Sequence, residues 1–319
     1  MILTLTANPS IDRTVELTGP LERGTVMRAA GMTAQAGGKG VNISRAAVAA
    51  GIPSVAVLPA AKDDPFVIEL LAAGIDCRPE SPAGPIRVNL TITEPDGTTT
   101  KLNSPGATVD AGDLDRLATA VRRRAGRAQW VVLAGSLPPG APAEWYAELI
   151  DSLHGTVASV AVDTSDAPLA ALVAGLPDSA PALMKPNGAE LASFAGGDPA
   201  ELEADPVSAA RAAIPLIEQG VGAVLVTLGG NGAVLVTGDG AWHAAAPPTT
   251  VVSTVGAGDS SLFGYLLGDV RQLDPARRLA LAVAYGSAAA ALPGTTIPAP
   301  GEVRPDLVPT QRLHLTQGG

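Results

Sequence analysis

The chain reads Ser253-Thr254-Val255-Gly256-Ala257-Gly258-Asp259-Ser260 where a strand pattern gives way to a helix pattern. A β-branched run ends at Thr254, the glycines permit a tight turn, and apolar residues then recur at helical spacing as far as Leu267. The backbone N–H groups of such a turn lie at a helix N-terminus, which attracts negative charge. The stretch therefore predicts an anion-binding site.

Asp259 lies in the first turn of the predicted helix. A carboxylate there could act only as an N-terminal cap, or it could be the base of a phosphoryl-transfer reaction. Phosphoryl transfer needs amides that hold an anionic phosphoryl group and a carboxylate that accepts the proton of the attacking hydroxyl. The turn offers both, so we expect Asp259 to be a general base, and we expect the helix dipole to keep it ionised.

Short apolar runs alternate with helical patterns on both sides of this stretch. The runs include residues 54–58, 130–134, 159–163 and 223–227, and the helical patterns include residues 40–50, 113–125, 143–153 and 208–219. Continuous apolar strands are typical of a parallel sheet that is covered by helices on both faces. The predicted fold class is α/β. Several prolines and no periodicity follow Pro298, which predicts a surface tail.

Two segments break the alternation, residues 13–35 and 86–103, and both have the character of antiparallel strands. Every second residue from Ile86 is apolar, and the residues between, from Arg87, are polar. The pattern predicts a small sheet, residues 13–35 and 86–103, inserted into a core of residues 1–12, 36–85 and 104–319. Such a sheet could be a lid over a polar ligand or an ordinary sheet with one solvated face.

Composition and length disfavour other classes of protein. Only 16% of the residues are charged and the net charge is −10, which does not suit an extended nucleic-acid surface. The longest apolar run, residues 279–293, is shorter than the roughly 20 residues that span a bilayer, and the N-terminus lacks the basic start of a signal peptide. We expect a cytoplasmic enzyme with neither a nucleic-acid nor a membrane partner.

Other nucleotide-binding motifs do not fit the chain. A P-loop requires Ser or Thr after its Gly-Lys pair, but Gly40 follows Lys39. A dinucleotide turn could be suspected at residues 230–232, yet a second strand pattern follows where a helix is required. That segment predicts a hairpin with an Asn-Gly turn.

Weaker signals lie along the rest of the chain. The run Gly37-Gly38-Lys39-Gly40-Val41-Asn42 places a lysine and an asparagine about one helical turn apart behind glycines that leave the backbone exposed. Single polar residues follow other apolar runs, at the strand ends where α/β ligand sites form; they are Asp12, Ser136, Asn187 and Glu190. Taken one at a time, each could be an ordinary turn or cap residue.

Together these motifs, from residue 6 to about residue 296, resemble the ribokinase-like (PfkB) carbohydrate kinases, and within them the phosphosugar branch of 1-phosphofructokinases and tagatose-6-phosphate kinases. The resemblance implies a three-layer α/β/α core with a mostly parallel sheet and a small β-sheet lid. It implies ATP-dependent phosphorylation of a ketohexose monophosphate, fructose 1-phosphate first, with tagatose 6-phosphate and fructose 6-phosphate as alternatives. A non-catalytic sugar-phosphate sensor is the alternative from another class.

The resemblance also implies roles for individual residues. The base would be Asp259, and the anion hole would be the amides of Gly256, Ala257 and Gly258. The acceptor side would comprise Asp12, Arg28, Gly37, Gly38, Lys39, Asn42, Arg87, Asn89, Lys101 and Ser136. The nucleotide side would comprise Lys185, Asn187, Thr227, Gly229, Gly232, Thr254 and Ser287.

For cofactors, the resemblance implies ATP with Mg²⁺ organised by Glu190, and a monovalent cation such as K⁺ near the carbonyls of Ser253 and Val255. A small exposed sheet has unpaired edges, so we also expect a homodimer in which two lids cover each other.

Overall fold

The computed structural model of the chain describes residues 1–315, which form two β-sheets and ten α-helices. The strands are β1 (Ile2–Leu5), β2 (Ser10–Leu17), β3 (Ala29–Gly37), β4 (Ser54–Pro59), β5 (Asp76–Glu80), β6 (Arg87–Thr93), β7 (Thr99–Asn103), β8 (Trp130–Ala134), β9 (Ser159–Asp163), β10 (Leu183–Met184), β11 (Ala223–Thr227), β12 (Ala233–Thr237), β13 (Gly240–Ala244) and β14 (Thr310–Leu313). The helices are α1 (Lys39–Ala49), α2 (Pro65–Ala72), α3 (Ala111–Ala125), α4 (Trp145–Asp151), α5 (Asp166–Ala174), α6 (Gly188–Ala195), α7 (Pro199–Ala204), α8 (Pro206–Glu218), α9 (Ala257–Val270) and α10 (Pro275–Ala290).

The large sheet is mostly parallel, as the apolar strand patterns predict. Its order is β14-β13-β12-β11-β10-β9-β8-β1-β4-β5, and all neighbours from β11 to β5 pair in parallel, whereas β12, β13 and β14 pair antiparallel. Alternate strand residues enter two cores: Leu3 and Val131 pack with α3 and α8 on one face, and Ile2 and Val132 with α9 and α10 on the other. The three-layer α/β/α core is confirmed.

The C-terminal segment differs from the surface tail expected after Pro298. Within the described residues, Val303 and Val308 are buried against the α10 side of the sheet, and β14 adds an edge strand to β13. These two apolar side chains anchor the segment, and the free edge of β13 offers it a pairing partner. Residues 316–319 of the expected tail lie outside the described residues.

The small sheet consists of two antiparallel hairpins joined in parallel, in the order β3-β2-β6-β7. The β2–β3 ladder begins at the Ser10–Gly37 pair, so both strands extend beyond the segment boundaries placed at residues 13 and 35. The pairs Ser10–Arg87 and Asp12–Asn89 put polar residues of both hairpins on one face. Apolar residues, among them Met32, occupy the opposite face. We call this sheet the lid.

Candidate active site

The glycine turn and the helix behind it form as the sequence predicts. Gly256 precedes α9 with φ of 78°, a left-handed conformation that favours glycine, and α9 begins at Ala257. The first N–H groups of a helix have no partners within that helix, so they can face an anion. Asp259 lies in this first turn and is 6% exposed. Its Oδ2 accepts a 2.8 Å hydrogen bond from Nδ2 of Asn42, which α1 supplies.

Asp163, at the end of β9, is a site residue that the sequence reasoning missed. Its carboxylate is 1% exposed and lies between two ammonium groups, with Lys39 Nζ 2.6 Å from Oδ1 and Lys185 Nζ 3.2 Å from Oδ2. Lys185 also lies over the glycine turn, because a Cβ at Gly258 would be 3.4 Å from its Nζ. The structure thus joins Lys39, assigned to the acceptor side, and Lys185, assigned to the nucleotide side, through one buried carboxylate.

The two buried carboxylates have opposite pKa shifts. Burial raises the pKa of Asp259 and the charge of Asp163 adds to that rise, while Lys39, Asn42 and Lys185 act in the other direction without reversing it. Burial also disfavours ionised Asp163, but Lys185 and Lys39 outweigh it and hold the pKa of Asp163 below its ordinary value. Burial and Asp163 thus oppose the helix dipole, which we expect to favour the ionised form of Asp259. A raised pKa brings a general base closer to the pH at which it works.

Lys39 is the charged group that links these carboxylates. Burial alone would lower the pKa of its ammonium group, but Asp163 and Asp259 together hold that pKa above its ordinary value. Lys39 is therefore a permanent cation in this site. Gly38 immediately precedes α1 and has φ of 115°, so glycine is favoured at the residue that sets the direction of Lys39 and Asn42.

The acceptor-side residues gather on the polar face of the lid. Asp12 Oδ1 accepts hydrogen bonds from Ser10 Oγ at 2.8 Å and from Asn89 Nδ2 at 3.2 Å. Burial raises the pKa of Asp12, opposed by these hydrogen bonds and by the nearby arginines. A side chain at Gly37 would overlap the Asp12 carboxylate, so glycine is required there for the carboxylate to keep this position.

Arg87 and Ser136 meet beside this group. Arg87 Nη2 donates to Ser136 Oγ at 3.3 Å and Nη1 to the Ser104 carbonyl at 3.1 Å. Both residues line a cavity of about 490 Å³ with Asn8, Asn103 and Ser104. A cation and several hydroxyl and amide groups in one cavity suit a phosphorylated polar ligand.

Two of the expected acceptor residues lie away from this group. Arg28 is exposed and precedes β3, whose first residue pairs with Leu17 at the far end of the lid. At about 3.4 Å per residue, that end is roughly 24 Å from the Ser10–Arg87 pair. Lys101 is on the polar face, paired with Thr91, but it is exposed and four residues along from Arg87's position.

The nucleotide-side residues lie where β10, β11 and α9 begin or end. Asn187 and Glu190 form a capping box at α6, in which Glu190 N–H donates to Asn187 Oδ1 at 2.7 Å and Asn187 N–H to Glu190 Oε2 at 2.9 Å. Thr227 ends β11 and bridges to Asn187. The remaining expected residues are Gly229 and Gly232 in the β11–β12 turn, Thr254 before α9, and Ser287 on α10.

Gly232 has φ of 88°, and any side chain there would overlap the Ala244 carbonyl. The residues around it form an antiparallel hairpin, so the exclusion of a dinucleotide turn is confirmed.

The site fits a Mg²⁺ ion that arrives with ATP. Among residues 1–315, no group of three or more His, Cys, Asp and Glu side chains is placed to hold a metal ion by itself. Mg²⁺ commonly binds through one or two carboxylates together with substrate phosphates and water. One oxygen of Glu190 is outside the capping box, and Glu190 is close enough to add to the positive shift of the Lys39 pKa. Glu190 is thus an available carboxylate beside the cations.

Comparison with known proteins gives the family. The profile described as "pfkB family carbohydrate kinase" matches residues 5–301. The chain belongs to the pfkB carbohydrate kinase family. Among its relatives, the 1-phosphofructokinase of Rhodobacter capsulatus is 37% identical over 316 residues, which cover 98% of this chain and 94% of that protein. An enzyme that transfers phosphate to a sugar hydroxyl is consistent with the buried Asp259 carboxylate and the glycine turn described above.

Solved structures give the same fold for this pfkB kinase. Phosphofructokinase-2 of Escherichia coli, in complex with substrates and products, has a TM-score of 0.86 at 27% identity, covering 95% of this chain and 97% of that one. Another structure of that protein is in complex with potassium. Ribokinase of Thermotoga maritima, at 18% identity and a TM-score of 0.72, covers 95% of this chain and 98% of its own. The core is ribokinase-like.

Proposed function

We propose that this enzyme transfers the terminal phosphoryl group of ATP to fructose 1-phosphate and forms fructose 1,6-bisphosphate. The observation that carries the proposal is the buried Asp259 carboxylate, held by Asn42 in the first turn of α9 beside the ammonium groups of Lys39 and Lys185. A base, the amides of a helix's first turn and two cations are groups that suit phosphoryl transfer to an alcohol. The relative from R. capsulatus indicates fructose 1-phosphate as the acceptor.

The first chemical role belongs to the Asp259–Asn42 pair. Oδ2 of Asp259 is occupied by Asn42, so Oδ1 can take the proton of the attacking hydroxyl. Asn42 Oδ1 and Asn89 Oδ1 are buried without hydrogen-bond partners among the described residues, and each can accept a hydrogen bond from a sugar hydroxyl. A fixed sugar turns the transfer into a step between positioned groups, which is a large part of the catalysis.

The second role belongs to the two lysines. Charge moves onto the transferred group and the leaving oxygen as the phosphoryl group passes, and fixed cations stabilise that charge without rearrangement. Lys185, beside Gly258, faces the turn that would hold the transferred group, and Lys39 is joined to it through Asp163. Bound Mg²⁺ would neutralise charge on the ATP phosphates, with Glu190 among its holders. The carbonyls of Ser253 and Val255 would hold K⁺ beside the turn.

The lid supplies the phosphate end and, we propose, the dimer contact. Arg87 and Ser136 would bind the phosphate already present on the sugar. The opposite face of the lid exposes Met32 by 60% and Leu102 by 56%, and apolar surface of this kind is normally covered by a partner. A second copy packed there would bring the far end of its own lid, with its Arg28, into reach of the neighbouring site.

The test of the proposed function is turnover by Asp259→Asn. Wild-type protein should release ADP from ATP and Mg²⁺ with fructose 1-phosphate at a higher kcat/KM than with tagatose 6-phosphate or fructose 6-phosphate. Asp259→Asn should keep its affinity for the phosphosugar and lose about 10²- to 10⁴-fold in kcat, the range typical of a general base. Asp306→Asn makes the same change in an exposed ion pair and should keep full activity.

Three results would contradict parts of this proposal. Near-wild-type kcat in Asp259→Asn would remove the base assignment. Binding of phosphosugar without ADP release by the wild type would favour a sugar-phosphate sensor. A higher kcat/KM for another of the three phosphosugars would reassign the acceptor while leaving the chemistry in place.

A further inference from the structure

The root of lid strand β3 is bonded to the core in an unusual way. β3 is an edge strand, and edge strands normally leave a row of backbone N–H and C=O groups unpaired. At Ala36, however, side chains of the core form hydrogen bonds with both the backbone N–H and the backbone carbonyl. The N–H donates to the Glu69 carboxylate, 3.1 Å from each oxygen, and the carbonyl accepts from Arg45 Nη2 at 2.9 Å.

Arg45 and Glu69 are also bonded to each other. Arg45 Nη2 lies 2.6 Å from Glu69 Oε1, and the arginine side chain is only 14% exposed. Glu69 comes from α2, and Arg45 comes from α1, the helix whose first turns carry Lys39 and Asn42. We call this arrangement of Ala36, Arg45 and Glu69 the β3 clamp. It joins a lid strand to the helix that supplies the partner of the catalytic base.

The residues beside the clamp lead directly to the site. Gly37 follows Ala36 and is the glycine that leaves room for the Asp12 carboxylate. Gln35 precedes Ala36, and its Oε1 accepts a 3.3 Å hydrogen bond from Thr295 Oγ1. Thr295 in turn packs on the glycine turn, since a Cβ at Gly256 would be 3.6 Å from its Cα. The clamped segment therefore touches the acceptor side on one flank and the anion turn on the other.

An ordinary structural ion pair would not need these backbone bonds. An Arg–Glu pair whose carboxylate is exposed to solvent typically contributes less than about 1 kcal/mol to stability by itself. Hydrogen bonds from a carboxylate and a guanidinium to one peptide unit instead fix the position and direction of that unit. This peptide unit lies near the end of β3, where the lid joins α1 of the core.

We propose that Arg45 and Glu69 are positioning residues for the sugar acceptor, an inference that rests on the proposed function. They hold the β3 root at the angle that places the Asp12 carboxylate, and the acceptor bound to it, in line with Asp259. Neither residue touches substrate. Loss of the clamp lets the lid tilt, which weakens acceptor binding more than ATP binding, because Asp12 and Asn89 lie on lid strands whereas the nucleotide-side residues lie outside the lid.

The experiment compares Glu69→Ala, Glu69→Gln and a control, Asp76→Ala, which removes a carboxylate from the exposed Arg78–Asp76 pair of β5. Acceptor kinetics use whichever of the three phosphosugars the wild type turns over fastest. Glu69→Ala should raise KM for that sugar about tenfold, equivalent to about 1.4 kcal/mol, and leave KM for ATP within twofold. Glu69→Gln keeps an acceptor for the Ala36 N–H, so it should recover part of the loss. Asp76→Ala should match the wild type.

Amide hydrogen exchange of the peptide that covers residues 29–38 gives a second readout that needs no substrate. Exchange should be faster in Glu69→Ala than in the wild type and unchanged in Asp76→Ala. An unchanged sugar KM in a folded Glu69→Ala variant would overturn the proposal. Equal rises of both KM values, or unchanged exchange at residues 29–38, would also overturn it. Absence of wild-type turnover on all three sugars would instead count against the proposed function, and the exchange comparison would still decide whether Glu69 holds the β3 root.

Discussion

Replacement of Asp163 by asparagine tests the electrostatic centre of the site. The change keeps the shape of the side chain and removes the negative charge that lies between the Lys39 and Lys185 ammonium groups. Breaking a buried ion pair by removing one partner typically costs about 3–5 kcal/mol, because a buried charge is left uncompensated. The Lys39 side chain is 34% exposed and can turn towards water, whereas Lys185 at 5% cannot. We therefore expect the low end of that range, about 3 kcal/mol.

Thermal unfolding, with and without fructose 1,6-bisphosphate, measures this effect. A loss of about 3 kcal/mol should lower Tm by about 5–10 °C in a chain of this size. Saturating bisphosphate should reduce the difference from wild type to less than half, because bound phosphate supplies the missing negative charge between the lysines. Asp76→Asn removes a carboxylate charge from an exposed pair and should change stability by less than about 0.5 kcal/mol.

Two outcomes would refute the reasoning about Asp163. If Asp163→Asn unfolded at the wild-type temperature, the two lysines would not depend on that carboxylate. If its deficit were the same with and without bisphosphate, the lysines would not be the groups that phosphate reaches.

Three further predictions concern the base, a glycine and the lid. Because the pKa of Asp259 is raised, the acidic fall of kcat/KM should occur at a higher pH than it would for an ordinary aspartate. Asp163→Asn removes a negative charge that raises this pKa, so it should move the fall to lower pH. Gly40→Ala should destabilise the protein by about 1–3 kcal/mol, since its methyl group would overlap atoms at the end of β1, while Gly126→Ala meets nothing within 4 Å and should be neutral in thermal unfolding. Met32→Asp should convert a dimer to monomers in sedimentation and lower kcat/KM for the phosphosugar; wild-type protein that sediments as a monomer would contradict the lid dimer.

What could be predicted from the sequence depended on neighbouring residues. The left-handed turn before α9 favours glycine at Gly256, and Asp259 follows about one helical turn later. Local spacing was therefore enough to predict both the turn and a carboxylate in the first turn of the helix. The alternation from Ile86 likewise predicted two different faces for β6, because side chains in a strand alternate whatever the strand packs against.

What escaped the sequence reasoning depended on contacts between distant residues. Asp163 ends an apolar run, a position where α/β ligand sites form, but its two lysine partners were not apparent, since Lys39 approaches it across 124 positions of the chain. Glu69 is 33 positions from the Ala36 N–H that it holds. The segment after Pro298 lacked periodicity, yet β13 offered a free edge for β14 to pair with. The order of strands in the sheet, which sets these neighbours, has no local signature.

The carboxylate of Asp163 affects the rate of product release. Whenever the site holds no phosphate, Asp163 is already the counterion of both lysines. A phosphate group that binds at the glycine turn beside Lys185 would have to compete with it, and Asp163 would replace that phosphate when it leaves. Without Asp163, the newly transferred phosphate of the product would face two uncompensated ammonium groups and leave more slowly, and release of product often limits turnover. Competition from the Asp163 carboxylate thus weakens the binding of phosphate groups and shortens the residence time of the product.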